Sequence, residues 1–203
     1  MVSKSLFITS VVLLASLSGL QAQENHPFAT QTGDGTVLSG EQRVMDRLNA
    51  YRNSIGLGGL VFDGNLRLIS RANSKHMAIH NYFSHNCHAD GEGPDGRASR
   101  AGVTVNGYME NLTAGRASAD EAFESWLASP GHKSNMEVSW LSKAGVGYWF
   151  VAGSQYGHYW TMMGAGSCTG SVTNAETDAP IWAPAPPVLI SPAHGSTLSA
   201  STL

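Results

Sequence analysis

The first predicted helix is marked by apolar residues at helical spacing. Four of them recur every three or four positions, with charged residues off their face: Val44, Leu48, Tyr51 and Ile55. Ser39 followed by Gln42 is typical of a capping box, so we expect this helix to begin near Ser39. A second helix is predicted from Asp63 to about Asn81, and residues 90–96, rich in Gly, Pro and Asp, are predicted to be an irregular loop.

The pattern later in the chain changes from helical to strand-like. Ser118 and Glu121 form a second capping box that opens a further helix, and the Ser-Pro-Gly at 129–131 is expected to end it. Residues 145–152 and 158–163 are rich in Tyr, Trp and Val and are joined by a glycine-containing turn, which predicts a hairpin. Helices followed by a hairpin indicate an α+β fold in which helices pack on an antiparallel sheet.

The first 22 residues follow the plan of a secretory signal peptide. Lys4 gives a positive start, residues 6–20 form an apolar run, and Ala22 offers a small residue for cleavage. The run is short for a membrane span, and no later segment is long and apolar enough to cross a bilayer. A buried N-terminal helix is the alternative. We expect export, either as a secreted protein or to the periplasm or surface of a Gram-negative bacterium.

The chain after the signal peptide divides into three parts. Residues 23–38 are polar and are predicted to be a flexible lead-in, whereas residues 39–172 have the length and apolar content of one domain. Residues 173–203 are rich in proline, which is typical of an extended linker. The stretch from Pro187 is similar to the opening strand of immunoglobulin-like modules, so either such a module begins there or the likeness is accidental.

Composition and charge exclude one class of partner. Hydrophobic residues make up 42% of the chain and charged residues 13%, which is enough apolar content to bury a core. The formal net charge is −3, and no basic stripe occurs along the sequence. We therefore expect no nucleic-acid partner.

The chain has two cysteines, Cys87 and Cys168. In an oxidising compartment two cysteines most simply form one disulfide. That disulfide would contribute roughly 4 kcal/mol to stability in the chain-entropy model. Two free thiols are the alternative, and the sequence leaves both open.

Histidines are the most prominent candidates for metal chemistry. Four of the eight lie in one segment: His76, His80, His85 and His88. His76 and His80 are one helical turn apart, a spacing that can clamp a metal ion, but no glutamate follows the first histidine as a zincin motif requires. The alternative is that both are partly exposed polar residues on the flank of a helix.

Several short strings along the chain are distinctive when taken together. They are Asn-Tyr-Phe-Ser-His ending at 85, Met-Glu-Asn-Leu-Thr-Ala-Gly from 109, Ala-Phe-Glu-Ser-Trp-Leu from 122, Ser-Pro-Gly-His-Lys-Ser-Asn from 129, Gly-Val-Gly-Tyr from 145 and Gly-His-Tyr-Trp-Thr from 157. In order and spacing they resemble the CAP superfamily of cysteine-rich secretory, antigen 5 and pathogenesis-related 1 proteins, in particular its bacterial SCP-domain branch. The resemblance covers roughly residues 41–166. It implies a three-layer α-β-α sandwich with an antiparallel central sheet, and a cleft with two histidines and two acidic residues that holds a divalent metal in some members.

The resemblance assigns these cleft positions to particular residues. His85 and His158 correspond to the two histidines and Glu110 to the first acidic residue, so these three are the expected ligands of Zn²⁺ or another divalent metal. The second acidic position is occupied by Ser129, so the full set of four is not present. Further residues are expected to line the cleft: Ser129, His132 and Asn111.

Two functions of different classes are compatible with this set. The resemblance implies a non-enzymatic extracellular protein that binds a lipid, a sterol or a peptide. The alternative is a metal-dependent hydrolase or peptidase that uses His85, Glu110 and His158. Because one acidic residue is missing and the sequence contains no Gly-x-Ser-x-Gly nucleophile motif, we favour binding.

Overall fold

The computed structural model describes residues 38–172, so the predicted signal peptide, the lead-in before residue 38 and the proline-rich segment lie outside the described residues. The described part of the chain forms five helices and four strands. In order they are α1 (Ser39–Ser54), β1 (Val61–Phe62), α2 (Gly64–His80), α3 (Pro94–Arg100), β2 (Val103–Ala114), α4 (Ala119–Leu127), α5 (Pro130–Met136), β3 (Lys143–Phe150) and β4 (His158–Gly170).

The sheet has the strand order β1-β3-β4-β2, which places β2 at an edge. Strand β4 pairs antiparallel with both β3 and β2. Strand β1 pairs parallel with β3, with Val61 opposite Lys143. The expected antiparallel sheet is therefore corrected to a mixed one. Two residues of strand carry no periodicity, and this is why the sequence pattern does not reveal β1.

Helices cover both faces of the sheet, which confirms the predicted α+β sandwich. Side chains of strand β4 point alternately to the two faces of the sheet. Trp160 and Met162 pack in a core with α1, α4 and α5, while Tyr159 and Met163 face the opposite side. Helices α2 and α3 supply the partners on that side. Because successive strand residues point to opposite faces, each side chain can be assigned to one layer.

Two glycines let α2 lie close against β3. A Cβ atom on Gly145 would come within 2.0 Å of the Arg67 backbone nitrogen, and one on Gly147 within 1.9 Å of the Arg71 nitrogen. Neither clash can be relieved by a side-chain rotation, because the neighbour is helix backbone. The two glycines of the Gly-Val-Gly string are therefore required for the close packing of α2 on β3.

Buried Glu41 fixes α1 to the edge of β3. Its carboxylate accepts a hydrogen bond from the Tyr148 backbone N–H (3.1 Å) and pairs with Arg71 through contacts of 2.6 and 2.9 Å. The same carboxylate accepts from the Leu38 N–H at the start of α1 (3.3 Å). This cap replaces the predicted Ser39–Gln42 box, one position away, because Leu38 occupies the N-cap. The capping box at Ser118 is confirmed.

Two prolines begin helices where the sequence predicts irregular chain. Pro94 is the first residue of α3, so part of the loop expected at 90–96 is helical. Pro130 is the first residue of α5 and lies two residues after Ala128, the C-cap of α4. Proline is favoured at the first helical position because it has no N–H to leave unpaired there.

The predicted disulfide is not formed, and both cysteines are free thiols. Cys168 lies beside the N-terminus of α2, with Sγ 3.3 Å from Asp63 Oδ2. Cys87 is buried in the turn that follows the C-terminus of the same helix. Since α2 has 17 residues, its ends are roughly 25 Å apart at 1.5 Å per residue. This separation is far beyond the reach of a disulfide.

Candidate functional site

His85 and Glu110 form the centre of the candidate site. His85 follows α2 after the helix ends at the left-handed residue Asn81, and Glu110 lies in the edge strand β2. Nδ1 of His85 is 2.9 Å from Oε1 of Glu110. The His85 side chain is 53% exposed whereas that of Glu110 is 3% exposed. A buried carboxylate therefore holds an imidazole that remains open to solvent.

Arg97 in α3 completes this arrangement, and sequence reasoning does not find it. Its guanidinium is fully buried, donates a hydrogen bond to the His85 backbone carbonyl (2.6 Å) and forms an ion pair with Oε2 of Glu110. Both Glu110 oxygens thus have a partner. No local signal could have found Arg97, because its segment has the composition of a loop and its partners are 12 and 13 residues away.

Helix α5 brings His132 to the same edge of β2. The Asn111 side chain donates to the His132 carbonyl (2.9 Å), and Asn135 donates to Asn111 Oδ1 (2.9 Å). Burial, and secondarily the neighbouring His85, lower the pKa of His132, which favours a neutral ring. Its Nδ1 is buried and has no hydrogen-bond partner among residues 38–172. Asn111 therefore positions the helix, and His132 contributes a second imidazole.

Ser129 stands where the resemblance predicts a second acidic residue. It precedes Pro130 at the N-cap of α5, and its side chain makes no capping hydrogen bond. Its carbonyl accepts the Lys133 N–H (2.8 Å). The position gives α5 its start and supplies no carboxylate.

His158 is not part of this cleft. Glu110 pairs with Met163, so the two side chains share a face, and His158 is five residues from Met163 along β4. An odd separation places His158 on the opposite face, roughly 16 Å away along the strand. There its Nδ1 is 2.9 Å from the Tyr148 hydroxyl. The register between strands, which the sequence does not reveal, decides this placement.

The three predicted metal ligands are therefore not gathered. Within residues 38–172, no group of three or more His, Cys, Asp or Glu side chains is arranged to hold a metal ion. Glu110 already has both oxygens engaged, by His85 and by Arg97. The set His85, Glu110 and His158 does not fit a metal centre in this arrangement, and the predicted metal role stays a prediction.

Comparisons with known proteins place this arrangement in a family. The model of the cysteine-rich secretory protein family, CAP, matches residues 45–163. The uncharacterized protein YkwD of Bacillus subtilis is 30% identical over 119 residues, which are 59% of this chain and 46% of that protein. The chain thus spans less than half the length of this curated relative.

Two solved structures are similar in fold. An extracellular protein containing a SCP domain from Bacillus anthracis is 27% identical, with a TM-score of 0.56 over 62% of this chain and 40% of that one. An outer surface protein from Borrelia burgdorferi is 17% identical, with a TM-score of 0.53 over 61% of this chain and 90% of that one. Among residues 38–172, no helix is long and apolar enough to span a membrane.

Proposed function

The chain belongs to the cysteine-rich secretory protein family, and from this premise we propose that it acts outside the cytoplasm as a non-enzymatic binding domain. The proposed ligand is an extended peptide that contacts His85 and His132 along the edge of β2. The observation that carries the proposal is the complete pairing of Glu110, whose two carboxylate oxygens are bound by His85 and Arg97.

A carboxylate that acts as a base or as a metal ligand must present an oxygen to the substrate or metal. Glu110 presents none, because its side chain is buried and both oxygens are paired. Its charge is compensated by Arg97 and serves to hold His85 in place. The surface open to a ligand is then an imidazole edge, which forms hydrogen bonds with peptide groups.

An aromatic pair beside the cleft favours a peptide over a lipid. The rings of Phe83 and Tyr156 are 5.7 Å apart in an edge-to-face contact, and the two residues are 42% and 38% exposed. Phe83 is only two residues from His85. A peptide offers both polar backbone groups for the cleft and an apolar side chain for the aromatic pair. A lipid or sterol would be expected to need a continuous apolar groove.

The distance between the cleft at Glu110 and the aromatic pair at Tyr156 suits an extended peptide. Tyr156 contacts Tyr159 (5.9 Å between ring centroids), and Tyr159 is paired with Ala114 in β2. Ala114 lies four residues along β2 from Glu110, which is roughly 13 Å. About four residues of an extended peptide cover the same distance. The proposed location outside the cytoplasm is supported by the predicted signal peptide and by the extracellular relative from Bacillus anthracis.

The hydrolase remains the second candidate because one observation favours it. With Nδ1 directed at Glu110, His85 presents its Nε2 to solvent, as a general base oriented by a carboxylate would. Among the described residues, we find no serine or cysteine hydrogen-bonded to this ring. A hydrolytic role would therefore require an activated water.

A peptide-capture experiment distinguishes the two functions. The immobilised protein is exposed to a mixture of peptides, and mass spectrometry identifies those retained and any that are cleaved. We expect a subset to be retained intact by the wild type and lost with His85→Gln, which alters an exposed side chain. His158→Gln, on the other face of the sheet, is the matched control and should retain the same peptides.

Two results would contradict the proposal. The binding function is wrong if no peptide is enriched over a blank surface. The hydrolase is correct instead if peptides are cleaved and Glu110→Gln abolishes cleavage while circular dichroism shows an intact fold. That check is needed because the Gln variant leaves the buried Arg97 without its charged partner.

A further inference from the structure

Trp140 lies in the segment between α5 and β3 and is 50% exposed, although its ring rests on two glycines. A Cβ atom on Gly107 would be 3.1 Å from Cζ3 of the ring and 3.5 Å from each of the two carbons bonded to it, Cε3 and Cη2. A Cβ atom on Gly166, in the neighbouring strand β4, would be 3.4 Å from Cε3. Single exposed apolar residues are common on protein surfaces. Trp140 differs from them because the backbone of two strands supports its ring.

These distances show that Gly107 lies beneath a face of the six-membered ring. The two neighbouring carbons are at equal distances only slightly longer than that of Cζ3, as expected for an atom directly above Cζ3. An approach in the plane of the ring would leave both carbons much farther away. Since one face rests on Gly107 and half of Trp140 is still exposed, the opposite face is open to solvent. A larger side chain at Gly107, whose φ of +62° also favours glycine, would press against the ring.

Three exposed residues beside the two glycines are polar and uncharged. Asn106 precedes Gly107 and is paired in the sheet with Ser167. Ser142 donates a hydrogen bond to the Gly166 carbonyl (2.5 Å), so its hydroxyl lies at a glycine that the indole also contacts. These amide and hydroxyl groups can both donate and accept hydrogen bonds. The open ring face therefore has a rim that suits a neutral ligand rich in hydroxyl groups.

We propose that Trp140 is a stacking platform for a pyranose ring of an uncharged polysaccharide. The C–H groups on the face of a pyranose carry partial positive charge, which matches the negative face of an indole. The hydroxyl groups lie at the edge of the sugar, where Asn106, Ser142 and Ser167 supply hydrogen-bonding groups. A protein partner is disfavoured, because a stable interface buries about 800 Å² of each partner, several times the area of one aromatic side chain. The site uses none of the contacts of the His85 cleft and does not depend on the function proposed for it.

Titration with soluble oligosaccharides tests this site. Cellohexaose and chitohexaose, the hexamers of glucose and of N-acetylglucosamine, are titrated into the full chain, and binding is followed by isothermal titration and by tryptophan fluorescence. We expect at least one of them to bind and to shift the emission to shorter wavelength, because Trp140 loses contact with water. Trp140→Ala should weaken this binding about tenfold or more and abolish the shift. Trp140→Tyr, which keeps a smaller ring on the glycines, should bind with intermediate affinity.

Controls separate stacking on Trp140 from other causes of binding or of its loss. Tyr156→Ala removes another exposed aromatic residue, in the turn between β3 and β4, and should bind the sugar as the wild type does. Circular dichroism checks the fold, and Trp140→Tyr decides the outcome if the alanine variant does not fold. The proposal is overturned if neither sugar binds, or if the folded Trp140 variants bind as tightly as the wild type. Binding to phosphatidylcholine vesicles that depends on Trp140, without sugar binding, would identify a lipid surface instead.

Discussion

His85 and His76 lie nine residues apart in the sequence and have nearly opposite surroundings. His85 is largely exposed and its Nδ1 contacts a buried carboxylate that Arg97 also binds. His76 is buried and its Nδ1 contacts a neutral phenol. In each case a neighbouring side chain contacts Nδ1 of the imidazole ring. The difference shows that the partner and the burial, more than the residue type, determine what a histidine can do.

The largest expected effect comes from breaking the ion pair on the His85 side. Arg97→Met leaves the buried Glu110 carboxylate without its charged partner, which should cost about 3–5 kcal/mol of the free energy of unfolding. Urea denaturation measures the loss. Arg100→Met is the matched control, because Arg100 pairs at the surface with Asp90 and Glu92 and should cost less than about 1 kcal/mol. Equal losses in the two variants would contradict the account.

The next largest effect is the pH dependence of the free energy of unfolding that buried His76 should cause. The folded-state pKa of His76, about 4, lies below the ordinary histidine value of 6.5 that applies to the unfolded chain. Between these values the unfolded chain binds a proton that the folded chain does not, so the free energy of unfolding falls as pH decreases from 6.5 towards 4. Over that window the loss is about 3 kcal/mol. Urea denaturation of wild type and His76→Asn across the window should show a smaller slope in the variant.

Ile69→Val provides the control for this pH dependence. Ile69 is buried in the same helix and carries no titratable group, so the variant should lose about 0.5–1.5 kcal/mol at every pH. An unchanged slope in His76→Asn would mean that His76 does not cause the acid sensitivity.

The smallest expected effect comes from removing the hydroxyl that contacts His76, which should change stability without affecting the cleft around His85. Tyr82→Phe removes the hydroxyl that contacts His76 and should lower the free energy of unfolding by about 1 kcal/mol. It should leave peptide capture by the cleft unchanged, since the ring is retained. Tyr156→Phe is the control for stability, because its ring contacts are also retained. A loss of capture with Tyr82→Phe would mean that the two regions are coupled.

The sequence predicts the elements whose signal is local. Its helical pattern covers residues 63–81, and Asp63 and Asn81 are the caps of that helix. Ser118 and Glu121 form the predicted box because both partners lie within one turn. The α-β-α arrangement follows from the family resemblance. Local pattern and motif order are sufficient for these features.

The features that the sequence does not reveal depend on residues far apart in the chain. Arg97 meets Glu110 only because α3 packs beside β2, and Glu41 meets Tyr148 across 107 positions. The family pattern groups His158 with His85 because its string matches, whereas strand register places it on the other face of the sheet. Which residues face one another across a sheet is a tertiary property, and motif matching does not supply it.

The most direct test of the central claim is the tautomer of His85, which long-range ¹H–¹⁵N correlation spectra report at a pH where the ring is neutral. The account predicts that the hydrogen is on Nδ1, donated to Glu110, with Nε2 carrying the lone pair towards solvent. Assignment is made by comparison with His85→Gln. A His85 ring protonated on Nε2 would contradict the claim that Glu110 orients this imidazole for a ligand.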